Sequence, residues 1–142
     1  MKRITLFLFA LTSLLIASCD SYSDEELADF DKKIEKHLKK KNIECEKSAS
    51  GLYYKILEEG EGEFIQFTNK VSVTYKGTFL DGKIFDEQTE PIELPVAEQI
   101  NAWKEIMLSL KKGAKAYMVV PPQLGYGSYE VAKIKPNSIL IF

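Results

Sequence analysis

One histidine, two cysteines and one tryptophan are the chain's whole stock of the rarer side chains in 142 residues. Each shortage removes a class of chemistry. His37 stands alone in a lysine-rich stretch, so neither a Ser-His-Asp nor a Cys-His nucleophile can be assembled. The sequence holds no H-E-x-x-H, no paired C-x-x-C and no G-x-x-x-x-G-K-[ST], the spacings that a zinc or nucleotide site uses. The glycines of "EEGEGE" (58–63) lie among four glutamates, whose charge opposes the phosphate that a glycine-rich loop would otherwise cradle. No metal and no cofactor is implied. Nor is there a basic excess: 19 Lys and Arg against 21 Asp and Glu leave a net charge of −2, which argues against a nucleic-acid partner. Any activity must come from binding geometry and polarity.

Long apolar runs are missing too, except at the start. "MKR" gives a positive end and "ITLFLFALTSLLIA" follows without a charge. The run is short for a membrane span and closes in small residues, which reads as an export signal. The junction "IASC" resembles the lipobox of bacterial lipoproteins, in which the signal is cut before the cysteine and its thiol is lipidated. That implies a signal peptide over 1–18, a lipid anchor on Cys19 and a place in the bacterial cell envelope, facing the periplasm or the exterior. Loss of Lys2 and Arg3 with the signal makes the net charge −4, with 17 basic against 21 acidic residues. Cys45 is then the one thiol left. It has no intramolecular partner for a disulfide and reads as an indifferent linker or surface residue.

What the chain has in quantity is charge on one segment and aromatics on the rest. From Ser23, "SDEELADFDKKIEKHLKKKNIE" is a helix. Ser23 and Glu26 form a capping box, acidic residues lead and lysines trail as the helix dipole prefers, and Asn42 suits the end. Leu27, Phe30, Ile34 and Leu38 make one narrow apolar stripe. Such a helix could lie on the following domain, pair with a copy of itself, or hold the domain away from a membrane. The lysine run from Lys32 to Lys41 reads as a solvated face. Residues 19–50 are accordingly a lipid-anchored helical spacer and linker. The stripe is too narrow for a main core, so deleting Asp20 to Ser48 is expected to leave a folded domain.

Residues 51–142 hold most of the eight Phe and seven Tyr. "GLYYKIL" is a strand, and "EEGEGE" a charged turn. In "VSVTYKGTFLDGKIFDEQ" (71–88), Val71, Val73, Tyr75 and Phe79 alternate with polar residues as in a half-buried strand. Asp81-Gly82 fits a two-residue hairpin turn, and the return runs through Ile84 and Phe85 to Asp86. "PIELP" (91–95) reads as a short edge strand bounded by prolines. Ile100, Trp103, Met107 and Leu110 recur at helical spacing in a helix that ends at Gly113. "AKAYMVVPP" is a strand, "QLGYGSYEVAKIKP" a loop, and "NSILIF" a last strand. The pattern predicts an α+β fold: a curved antiparallel sheet, a half-barrel, wrapped on one short helix and preceded by the amphipathic helix.

Taken in order, V-x-V-x-Y-x-G, D-G-x-x-F-D, Trp103, "PPQLGYG" and "IKPNSILIF" resemble the FKBP-type peptidyl-prolyl cis-trans isomerase family over residues 51–142. The resemblance implies a pocket. Tyr75, Phe85 and Phe142 would be its aromatic walls and Trp103 its floor. Gln99 and Ile100 match the segment whose backbone engages the substrate, and Ile134 an apolar lip. Asp86 would be the rim carboxylate and Tyr126 the hydroxyl that bonds a substrate carbonyl. These last two are the candidate catalytic residues, through orientation rather than proton transfer. Ile92, after Pro91, stands where the family often has a Phe beside the pocket, and Lys135-Pro136 where it often has Pro-Pro. The family's last strand normally continues with an Asp-x-Glu-Leu-like segment, so "SILIF" reads as a strand cut short.

The implied function is a prolyl isomerase that assists the folding of exported proteins. Its partners would be proline-containing polypeptides, macrolide inhibitors, and the membrane through the anchor. The alternatives are an FKBP-like binding module with weak or no isomerase activity, and an envelope assembly factor acting through the Leu27–Leu38 stripe.

Overall fold

The computed structural model describes residues 21–142; the expected signal peptide over 1–18 and Cys19 lie outside the described residues. Helix α1 (Asp24–Lys41) starts as its sequence dictates. Ser23 Oγ accepts from the Glu26 N–H at 3.3 Å, and the Ser23 N–H donates to Glu26 Oε2 at 2.8 Å. Asn42 closes it in the left-handed conformation, φ 54°. Then come β1 (Glu46–Lys47), β2 (Tyr53–Glu58), β3 (Glu61–Phe64), β4 (Lys70–Phe79) and β5 (Ile84–Pro95). Helix α2 (Asn101–Met107) precedes β6 (Lys111–Lys112), β7 (Lys115–Val120) and β8 (Leu140–Ile141). Six strands form one open antiparallel sheet in the order β1-β2-β7-β8-β4-β5, and β3 pairs with β6 apart from it. The predicted α+β class holds.

The sheet is covered on both faces, which explains the unbroken apolar run in β7. Met118 and Val120 point with Leu140 toward α2, where Trp103, Ile106, Met107, Leu52 and Val96 complete the main core. Val119 and Ile141, the alternate residues, join Tyr53 and Ile139 against Ile34 and Leu38 of α1. Of the three placements open to the charged helix, it takes the first and lies on the domain. Ile34 is fully buried there, worth about 1.5–3 kcal/mol relative to exposure. Polar contacts frame the seam: Tyr53 donates to Asp31 Oδ1 and Glu35 Oε1, both at 3.2 Å, and Lys47 Nζ donates to Asp31 Oδ2 at 2.7 Å. This packing weighs against the expectation that residues 20–48 can be removed without loss to the fold, since α1 supplies part of the buried surface. A narrow stripe suffices because the surface it meets is itself a row of alternate strand residues.

Several boundaries differ from the sequence reading. The predicted edge strand 91–95 is the last part of β5, which runs unbroken along the sheet edge. Pro91 is accommodated there because the β4–β5 register slips between the pairs Val73–Ile92 and Tyr75–Gln88, so no ladder bond needs its missing N–H. The predicted helix ending at Gly113 is shorter at both ends. Val96–Glu98 is a 3-10 turn, and Gln99 and Ile100 are extended, with ψ 165° and 156°. Beyond Met107 the chain tightens into i→i+3 bonds and then pairs Lys111 with Phe64, the ammonium 4.8 Å above the ring. "EEGEGE" is a turn that runs into β3. The 71–86 hairpin closes through three residues rather than two: the Gly82 N–H donates to Phe79 O, and the Phe79 N–H to Lys83 O. Gly82, at φ 87°, takes the left-handed position that such a loop requires.

Candidate active site

Four aromatic rings from four different segments meet over the main core. Tyr75 comes from β4, Phe85 from β5, Trp103 from α2, and Phe142 follows β8. Phe142 is the hub: its ring lies edge-on to Trp103 at 5.2 Å and 85°, to Phe85 at 5.6 Å and 87°, and to Tyr75 at 6.3 Å and 64°. Tyr75 also meets Trp103 edge-on at 5.1 Å, within the range where such pairs attract beyond their buried area. Exposure grades outward across the group. Trp103 is buried at 8%, the other three rings are half-buried, and Asp86 is exposed. The group thus grades from a buried indole to an exposed carboxylate. The Trp103 Nε1 is buried with no hydrogen-bond partner among the described residues.

The rim is polar. Tyr75 donates to Asp86 Oδ2 at 2.5 Å, and the Asp86 Oδ1 accepts from the Glu87 N–H at 2.9 Å. Burial pushes the Tyr75 hydroxyl up to about 12, and the bond to Asp86 adds to this. Tyr126 is raised in the same direction, by burial first and then by the charge of Asp86. Both hydroxyls therefore remain protonated donors at neutral pH. The one histidine is elsewhere: His37 lies on α1, on the other side of the sheet, its pKa lowered by burial and by Lys41 and Lys40. Burial raises the Cys45 thiol, which leaves less of the reactive thiolate.

Strand geometry explains how neighbours in sequence can serve one site. Successive strand residues normally face opposite ways, yet Phe85 reaches the rings while Asp86 reaches Tyr75. The register supplies the reason. Gly77 pairs with Asp86 and Thr78 with Ile84, so Phe85 is an extra residue bulged out of β5. Bulges re-aim side chains in this manner.

The structure brings together Tyr75, Phe85, Asp86, Trp103 and Phe142 by direct contact. Ile100, Tyr126 and Ile134 belong to the same packed cluster. Gln99 sits just before α2, its amide Nε2 donating to Pro95 O at 3.0 Å. Ile92 stands opposite Val73 on β5 and is half-buried. Two participants were missed by sequence reasoning. Phe79 lies 5.2 Å from Phe85, in phase with Tyr75 along β4. Gly77 interrupts the large residues of that same face, and this gap was its signal. A cleft of about 470 Å³ adjoins through Tyr126, between the start of α1 (Tyr22, Leu27) and the loop after β7 (Gln123, Tyr129).

An open antiparallel sheet packed on a short helix, with an aromatic cluster between them and a Tyr–Asp pair at its edge, defines the class. The family model described as FKBP-type peptidyl-prolyl cis-trans isomerase matches residues 61–142, and the chain belongs to that family. It is 40% identical over 111 residues to the FKBP-type peptidyl-prolyl cis-trans isomerase FkpA of Escherichia coli K12, an alignment covering 76% of this chain and 40% of that relative. The crystal structure of FkpA from Escherichia coli superposes with a TM-score of 0.71 at 37% identity, over 82% of this chain and 57% of that one. A peptidyl-prolyl cis-trans isomerase from Pseudomonas syringae gives a TM-score of 0.68 at 25% identity, over 86% and 91% of the two chains.

Proposed function

We propose that the chain is a peptidyl-prolyl cis-trans isomerase acting on exported polypeptides, with the aromatic group around Phe142 as its site. An X-Pro bond exchanges slowly because amide resonance opposes twisting, although cis and trans differ little in energy. The half-twisted bond has lost that resonance and its polarity. A water-poor aromatic site that holds the proline ring favours the twisted state over the planar one. Stabilising it by about 4 kcal/mol accelerates exchange about a thousandfold. In this reading Trp103 is the floor; Tyr75, Phe85 and Phe142 are walls; Ile92 and Ile134 are apolar flanks. Gln99 and Ile100 offer backbone to the peptide. Tyr126 donates to a substrate carbonyl, and Asp86 orients Tyr75 and binds at the rim. No step moves a proton to or from the protein. The observation that carries the reading is the convergence of Tyr75, Phe85 and the buried Trp103 on Phe142. Macrolide inhibitors of the family would compete for the same place.

The remaining assignments are proposals of the same kind. Residues 1–18 are a lipoprotein signal peptide, 19–50 an anchored helical segment, and 51–142 the isomerase domain, held to an envelope membrane through Cys19. The charged start, the apolar run and "IASC" support this. A second reading, a binding module with weak isomerase activity, draws on Ile92, which offers no aromatic ring beside the pocket. A protease-free exchange assay on an X-Pro tetrapeptide separates the two. Saturable acceleration above the spontaneous rate supports the enzyme, and binding without acceleration supports the module.

A further inference from the structure

We propose that Gly77 is a positioning residue for the pocket wall: its missing side chain is the space in which the Phe85 ring is seated. The inference rests on the pocket reading above and adds to it a residue with no reactive group of its own. Gly77 is buried, and its φ lies outside the left-handed region, so its backbone conformation is open to any residue. What the position forbids is volume. A Cβ built on Gly77 would meet the Phe85 ring end-on, closest to Cζ, with Cε2 at 2.6 Å and Cε1 at 3.1 Å. Ordinary carbon–carbon contact is about 3.5–4.0 Å, so the ring would have to move. It has little room to do so, because Phe79 lies against it at 5.2 Å and Phe142 edge-on at 5.6 Å.

The register gives the same answer independently. Gly77 is the β4 residue at the bulge, paired with Asp86 while Phe85 is extruded. The bulge turns Phe85 toward the rings, and the bare strand opposite lets the ring lie back against β4. Along that face Val71, Val73, Tyr75 and Phe79 are large, so a small residue at 77 is a local exception with a local use. A methyl group there displaces Phe85 toward Phe142 and narrows the place where a proline ring would sit.

The test is a double-mutant cycle of Gly77→Ala with Phe85→Ala, read by melting temperature and by the affinity for an X-Pro tetrapeptide followed through Trp103 fluorescence. Gly77→Ala alone is expected to lower the melting temperature and weaken the peptide about tenfold. Added to Phe85→Ala, it should lower neither further, since the ring it collides with is gone. If Gly77→Ala fails to fold while the double variant folds, the collision is with Phe85 and the inference stands. Equal losses in the two backgrounds overturn it, as does failure of both Gly77→Ala proteins to fold, because Gly77 would then serve the backbone. A lowered melting temperature with wild-type affinity also overturns it, leaving Gly77 a packing residue only. A folded wild type that binds no proline peptide refutes the pocket reading instead, while the melting temperatures still decide whether Gly77 seats the ring.

Discussion

Tyr75 donates a hydrogen bond to Asp86 Oδ2 across 2.5 Å, joining the middle of β4 to the bulge of β5. The two act as one unit. Asp86→Ala and Tyr75→Phe should each lower kcat/KM about ten- to a hundredfold, the range for a hydrogen bond to a charged group. The double variant should be little worse than the poorer single one. Asp86 is exposed, so its loss should leave the melting temperature nearly unchanged. Full additivity of the two losses in the exchange assay would show that they act separately.

The pH dependence follows from the same pair. Tyr75 is pushed up to about 12 by burial and by its bond to Asp86. A raised folded value gives stability that is complete below the unfolded value and lost as pH rises through the folded one. The window is therefore about pH 10 to 12. Tyrosinate absorbance should show a late-titrating hydroxyl that Tyr75→Phe removes. Exchange catalysis should be flat from about pH 6 to 9, since both site hydroxyls keep their protons there. A bell-shaped profile in that range would reveal a general acid or base.

Helix α1 should matter to stability. Ile34 is fully buried against the β2, β7 and β8 side of the sheet, and Ile34→Ala should cost about 2–5 kcal/mol in denaturant unfolding. Deleting residues 20–48 should lower the melting temperature well below that of the intact chain. Equal stability with and without the segment would return α1 to the role of a spacer.

Anchoring is tested at Cys19. Labelled fatty acid should be incorporated into the wild type in cells and lost in Cys19→Ser, with the variant uncleaved or released. A wild type that partitions into the aqueous phase after detergent separation contradicts the anchor.

Much of this was readable in the sequence because the signals were local. The capping box Ser23–Glu26 and the alternation through Tyr75 need only neighbouring residues. The site rings were reached through motif order rather than through periodicity, which alone would leave Tyr75, Phe85 and Trp103 as core. Other features depend on partners distant in sequence. All of β3 is exposed, so no apolar alternation marks it. Lys111 and Lys112 look like the end of a helix until Phe64 is placed opposite. The α1 stripe gives its own face but not the face of Tyr53, Val119 and Ile141 that receives it. The bulge that extrudes Phe85 exists only as a register between two strands, and Gly77 gains its meaning from that register.

In the proposed mechanism the rings around Phe142 are where the X-Pro bond is held and turned. Trp103 is the only tryptophan, so its indole N–H gives a single resonance at the proposed floor of the site. An NMR titration with an X-Pro tetrapeptide reads that resonance and the cis–trans exchange rate in one sample of the folded protein. We predict that the indole shift saturates, that exchange is accelerated, and that a family macrolide reverses both together. Accelerated exchange with an unmoved indole resonance, or no acceleration at saturating peptide, would contradict it.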